Sequence, residues 1–187
     1  MITSLRLAGM AALVLGFGAY VSQATPVNAQ VGVAPAVTTE ATLASAMKGR
    51  PLAEQVEAYS RTVTDNAEQD CLANAVYFEA RGESLDGQLA VAEVVLNRSV
   101  SGRYPTTLCG VVTQPAQFSF VRNRRIPAAD RSSEAWRKSV AIARIAQDRT
   151  ADLLSDDVLW YHADYVAPSW GRRLNRSTKI GLHIFYR

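Results

Sequence analysis

The sequence predicts a mostly α, α+β fold: a single helical domain with a small β region near its C-terminal end. Three observations predict it. Apolar residues recur at three- and four-residue spacings over 66–78, 86–97 and 132–147, the period of helices with a buried face. Short runs rich in aromatic and β-branched residues follow Val158, as in short strands. Between 65 and 187 there is no internal repeat and no shift of composition that would mark a second domain.

Residues 1–29 read as a signal peptide for secretion. Arg6 supplies a weak positive start, 7–20 is an apolar core, and Val27-Asn28-Ala29 before Gln30 has the small-x-small form of a cleavage site. Ala24 offers a second cleavage point, and an uncleaved anchor is the competing reading of the same run. An exported chain is expected in the periplasm or the extracellular cell envelope, with no stable membrane insertion after cleavage. Residues 30–64 read as a leader or linker, small and proline-bearing over 31–36, with possible short helices at 39–47 and 52–59.

With Arg6 set aside from the 20 basic residues, 19 face 17 acidic ones. That slight positive balance suits an anionic envelope polymer and names none. No long basic stripe with interleaved aromatics is present, so nucleic acid is not an expected partner.

The domain at 65–187 opens with a helix capped by Asp65 or Asn66 and running toward Phe78. Leu72, Ala75, Val76 and Glu79 share its inward side, and Gly82 ends or bends it. A second helix spans about 86–97, with Leu89, Ala92, Glu93 and Leu96 on one face. Its stretch 91–96 reads alternatively as a short buried strand. A turn-rich connection follows, then 114–120, where Pro115 argues against a regular helix. After a basic loop at 122–127, a helix over about 132–147 packs through Trp136, Val140 and Ala143 and leaves Arg137, Lys138 and Arg144 solvated. Residues 180–186 form a terminal strand, with 159–162 as its partner. Cys71 and Cys109 are the only cysteines. In an oxidising compartment they read as one disulfide, with two buried thiols as the alternative.

Glu79 is the leading chemical candidate. A carboxyl at the end of an apolar helix, partly stripped of water by Tyr77 and Phe78, meets the conditions for a general acid with a raised pKa. Glu83 and Glu93 are its rivals: Glu83 as a helix neighbour or ion-pair partner, Glu93 as a second, buried carboxylate. Gln114, Gln117, Phe118 and Ser119 combine amides, a hydroxyl and a ring in one loop, the pairing that suits sugars. Tyr161, His162 and Trp170 form a second ring-bearing wall, with Asn97 and His183 in supporting places. His162 and His183 are too sparse for a zinc site, and neither a metal nor another cofactor is expected.

These residues also carry a family resemblance. The motifs are Ala75-Val76-Tyr77-Phe78-Glu79-Ala80-Arg81-Gly82-Glu83, Gly87-Gln88-Leu89-Ala90-Val91-Ala92, Val95-Leu96-Asn97-Arg98, Tyr104-Pro105, Cys109-Gly110-Val111-Val112, Gln117-Phe118-Ser119, Tyr161-His162 and Gly181-Leu182-His183-Ile184-Phe185-Tyr186. In this order, over roughly 66–186, they resemble the bacterial cell-wall hydrolase family that includes the catalytic domain of the spore-cortex-lytic enzyme SleB. The resemblance implies a lysozyme-like or lytic-transglycosylase-like fold, a catalytic glutamate at Glu79, and peptidoglycan glycan strands as substrate. The implied reaction is lytic transglycosylation between N-acetylmuramic acid and N-acetylglucosamine, leaving 1,6-anhydro ends. A hydrolytic muramidase or glucosaminidase and a noncatalytic peptidoglycan-binding protein are the alternatives.

Overall fold

The computed structural model describes residues 40–187. The expected signal peptide and the leader up to residue 39 lie outside the described residues. Six α-helices and a three-stranded sheet follow in order: α1 Glu40–Met47, α2 Leu52–Tyr59, α3 Ala67–Ala80, α4 Leu85–Val100, α5 Leu108–Val112, α6 Glu134–Asp148, β1 Trp160–Ala163, β2 Arg176–Ile180 and β3 His183–Tyr186. The mostly helical α+β expectation holds.

The long helices start where the sequence offers a side-chain acceptor for their unpaired N–H groups. Asn66 accepts from Gln69 N at 3.0 Å, Ser84 from Gly87 N at 3.2 Å and Ser133 from Trp136 N at 3.1 Å. Each such cap contributes about 1 kcal/mol. Helix α3 has buried residues around most of its circumference, among them Leu72, Ala75, Val76 and Ala80, so it is a central helix rather than a surface one. Helix α4 is likewise enclosed, and its Val91, Val94 and Val95 are fully buried within an unbroken helix. The alternative strand over 91–96 therefore does not form.

Helices α3, α4 and α6 pack on one another, with α2 against α6 and α5 against α3 and α4. Helix α2 lies in the stretch read as leader or linker, yet it buries Val56 and Tyr59 in this same core. Its Gln55 exchanges hydrogen bonds with Thr150, and the Tyr59 hydroxyl donates to Asp148 at 3.2 Å. The solvated placement of Arg144 is corrected. Its side chain is buried, with the guanidinium held by Asp65 and by Asp148 one turn along α6. A buried arginine needs such partners, and the helical period alone did not reveal them.

Two elements went unforeseen. Helix α5 is too short to show a period. It is capped by Thr107 and by the α3 carboxylate of Glu68, which accepts from the N–H groups of Leu108 and Cys109. The Cys71–Cys109 disulfide joins the same two helices across a separation of 38 residues, a closure that contributes on the order of 2–4 kcal/mol. Strand β2, Arg-Ser-Thr-Lys-Ile, is an edge strand with mostly exposed side chains and so carries no apolar alternation. The sheet order is β1-β3-β2, antiparallel throughout. A second apolar cluster, Ala90, Val94, Val158 and Phe185, fastens the sheet to α4.

The β2–β3 turn is held to the α3–α4 junction by Glu83. Its carboxylate accepts from Leu182 N at 3.0 Å and lies 4.0 Å from His183 Nδ1. Gly181 between the strands has φ +56, and a Cβ there would overlap Glu83 Oε2. At Gly82 a Cβ would meet nothing, and φ is not positive. Gly181→Ala is expected to lower unfolding free energy by roughly 1–3 kcal/mol, and Gly82→Ala to stay within about 0.5 kcal/mol of the parent. Urea denaturation of the two variants measures both.

Candidate active site

Three elements bring one side chain each near enough to act on one another electrostatically. Glu79 is the penultimate residue of α3, and Arg98 lies in the last turn of α4. Tyr161 is the second residue of β1. The approach of β1 is set by α4: Asn97 Nδ2 donates to the carbonyls of Ser155 and Val158 at 3.0 and 3.2 Å, and Arg98 Nε donates to Leu159 O at 2.8 Å. These bonds fix the backbone just before the strand, so Tyr161 is delivered to Glu79 by a chain segment with little freedom of its own.

Tyr161 and Arg98 both act on the Glu79 carboxyl. Burial pushes the Glu79 pKa above the usual carboxylate range, while the Tyr161 hydroxyl and the Arg98 charge oppose the shift. The Tyr161 hydroxyl is itself held strongly protonated, first by burial and then by the nearby Glu79 charge, and so remains a donor. Burial lowers the pKa of Arg98 from a value so high that the guanidinium stays charged. Its guanidinium lies over the rings of Tyr104 and Phe118, at 5.1 and 6.0 Å from their centroids.

Arg98 and Tyr161 also line an open cleft of about 480 Å³. Tyr104, Trp160 and Trp170 add ring surface to it, and Gln117 and Arg173 add hydrogen-bonding groups. Glu79 is not itself among the residues that line this cleft; Tyr161 and Arg98, which do, are the groups that act on its carboxyl. Rings that cover apolar sugar faces, with amide and guanidinium donors between them, make a surface suited to a polyhydroxylated ligand.

Of the residues singled out from sequence, Gln117, Tyr161 and Trp170 share this cleft, with Glu79 beside it. Phe118 is buried and packs with Phe120, which stacks on Phe78 at 4.9 Å. Phe118 thus supports the cleft from beneath rather than lining it. Ser119 is exposed, and Gln114 is not among the cleft residues. His162 leaves the opposite face of β1 from Tyr161. Its Nδ1 meets the Ala163 carbonyl at 2.8 Å and its Nε2 the Tyr186 hydroxyl at 2.9 Å, so it braces Trp170 from behind. Tyr77 sits in the core against Phe78 and Trp136.

The rival carboxylates are engaged elsewhere. Glu83 holds the β2–β3 turn, and its neighbour His183 packs edge-on against Tyr161 with centroids 5.1 Å apart. Glu93 accepts from Leu153 N and Leu154 N at 2.8 and 2.9 Å and is pushed up to about 7 by burial, in a separate small cavity beside Arg149 and Asp152. Among the described residues no group of three His, Cys, Asp or Glu side chains is placed to hold a metal. Arg98, Tyr104, Trp160 and Arg173 were not named as site residues from sequence. Arg98 and Tyr104 stand in the family motifs, and that was the available signal.

Known proteins place the chain. Residues 82–186 match the cell wall hydrolase family, a segment that begins three residues after Glu79. The spore cortex-lytic enzyme of Bacillus cereus is 37% identical over 114 residues, 61% of this chain and 42% of that protein. The Bacillus subtilis spore cortex-lytic enzyme is 38% identical over 117 residues, 61% of this chain and 35% of that protein. The chain thus spans less than half the length of these relatives. Among solved structures, the catalytic domain of the germination-specific lytic transglycosylase SleB from Bacillus anthracis superposes with a TM-score of 0.54 at 34% identity. That alignment covers 68% of this chain and 98% of the solved one. The helical body with its small sheet therefore has the lysozyme-like architecture of those catalytic domains, and with more than half of its length matched, the chain belongs to the cell wall hydrolase family.

Proposed function

We propose that this protein is an exported enzyme of the cell envelope that cleaves peptidoglycan glycan strands by lytic transglycosylation, with Glu79 as its one acid and base. The observation that carries this reading is a half-buried carboxyl, Glu79, whose pKa is raised by burial and which is acted on by Tyr161 and Arg98, two residues that line the ring-bearing cleft. The Bacillus anthracis relative is a lytic transglycosylase, which points the same way.

Protonated Glu79 donates its proton to the glycosidic oxygen between N-acetylmuramic acid and N-acetylglucosamine as the C1–O bond breaks and positive charge grows on the muramic ring. The resulting carboxylate is met by the Tyr161 O–H and the Arg98 charge, which together make it a stable acceptor. It then removes the proton of the muramic C6 hydroxyl, and O6 closes on C1 to give the 1,6-anhydro end. The nucleophile is part of the substrate, so the step is intramolecular and needs no second carboxylate to activate water. Tyr104, Trp160 and Trp170 cover sugar faces, and the Gln117 amide pairs with hydroxyl or acetamido groups.

Glu79→Gln keeps the size of the side chain and removes the proton. Cleavage of purified peptidoglycan is expected to fall by roughly a hundred-fold to ten-thousand-fold, with retention of pelleting on insoluble peptidoglycan and of the melting temperature. A folded Glu79→Gln chain that cleaves at the parental rate would refute the assignment, and a parent that pellets without cleaving would mark a binding protein.

Tyr161→Phe removes a hydroxyl that favours the Glu79 carboxylate, so the Glu79 pKa is expected to rise further. The active acid is the protonated form, lost as pH climbs through that pKa. The alkaline limb of kcat/KM is therefore expected at higher pH in Tyr161→Phe than in the parent. A limb that stays in place or moves to lower pH would separate Tyr161 from the acid.

A further inference from the structure

A second cavity, of about 680 Å³, opens beyond Trp160. Trp160 lines both spaces, and three chain segments pass from one to the other. Arg98 and Tyr104 face the cleft while Ser101 and Arg103, between them in sequence, face the second cavity. Tyr161 faces the cleft and Leu159 the second cavity; Arg173 faces the cleft and Asn175 the second cavity. The two spaces are thus neighbours that share Trp160 in their walls.

Their chemistry differs. The cleft is lined by rings, an amide and two guanidinium groups, whereas the second cavity carries charges of both signs: Arg103, Arg187, Asp156 and Asp157. Charges of both signs in one cavity suit a ligand that itself carries both. A short peptide with free carboxylates and a free ammonium does, and each charge on it meets an opposite one. The charges are only loosely engaged. Arg187 and Asp157 approach only to 3.8 Å, with side chains 55% and 60% exposed, Asp157 also accepts from the Ser155 hydroxyl at 2.6 Å, Arg103 lies over the Trp160 ring at 5.9 Å, and Asp156 pairs with the exposed Arg149 at 3.2 Å. Exposed pairs of this kind contribute little and exchange readily for a ligand. The backbones of Asn175 and Arg187 bond to each other reciprocally at 3.2 and 3.0 Å, so the floor is firm.

We propose that this second cavity binds the peptide stem hanging from the glycan strand in the cleft, with Arg103 and Arg187 facing stem carboxylates and Asp156 and Asp157 facing its ammonium group. The proposal rests on the cleft being a glycan site. It makes the enzyme selective for strands that still carry stems, since a stem at the Trp160 boundary adds binding that bare glycan cannot supply.

The test uses the full chain as parent, Asp157→Asn and Arg187→Gln. Each is assayed on stem-bearing strands and on the same strands stripped of stems by an amidase. The parent is expected to favour stem-bearing strands, and the ratio of kcat/KM on the two substrates is expected to fall about ten-fold in each variant, the loss of one charge-assisted bond. In parallel, free tetrapeptide stem is titrated into each protein while the Trp160 indole and Asn175 side-chain NMR signals are followed. Saturable shifts are expected in the parent and strongly weakened ones in the variants. An unchanged ratio, or shifts that persist in both variants, overturns the proposal. A parent that cleaves neither substrate defeats the glycan-cleavage reading instead. The titration then decides alone: saturable shifts at Trp160 sustain a stem site and their absence overturns it.

Discussion

The partial removal of the Glu79 carboxyl from water, with Tyr161 and the charge of Arg98 acting on it, is the constraint on which this account of the domain depends. A carboxyl moved out of water costs several kcal/mol if it must ionise alone, and little if it is protonated or if donors wait for the charged form. The fold supplies both conditions. Burial at the end of α3 favours the proton, while a hydroxyl from β1 and a guanidinium from α4 make the ionised state tolerable. One group can then give a proton and take one back at the same place.

The supporting structure reads as the means of holding that triangle. The Cys71–Cys109 disulfide and the Glu68 cap lock α3 to α5. Asn97 and Arg98 bond the backbone ahead of β1, and Glu83 ties the β2–β3 turn to the α3–α4 junction directly behind Glu79. His183 and Phe185 from β3 pack against the Tyr161 ring. Tyr161 thus stands on the sheet, Glu79 on the helices, and the apolar cluster around Val94 and Phe185 keeps the two in register.

The core helices were legible in the sequence because burial and helical period leave the same trace, with Asn66, Ser84 and Ser133 at their starts. Glu79 stands out in the sequence as a candidate for a related reason, since it interrupts an apolar face at a helix end. The rest lacked a local signal. Arg98 looks like a solvated end to an apolar run until Leu159, Tyr104 and Glu79 come round it in the fold. Arg144 was misplaced on the same grounds, because its acceptor Asp65 stands before α3 in sequence and is reached only through helix packing. Helix α5 is shorter than two turns, and the edge strand β2 has mostly exposed side chains, so neither carries a hydrophobic pattern. The loop at 114–120 offered several polar groups, and only the packed structure separates Gln117 in the cleft from Phe118 beneath it and Ser119 on the surface.

The central claim is that one carboxyl does the work of acid and base with the substrate's own hydroxyl as nucleophile. Digesting peptidoglycan in water enriched in heavy oxygen and weighing the released muropeptides by mass spectrometry tests it most directly. Transglycosylation predicts anhydro ends that lack the heavy label. Reducing ends that each carry one heavy oxygen would show that water attacks C1, and would contradict the single-carboxyl account.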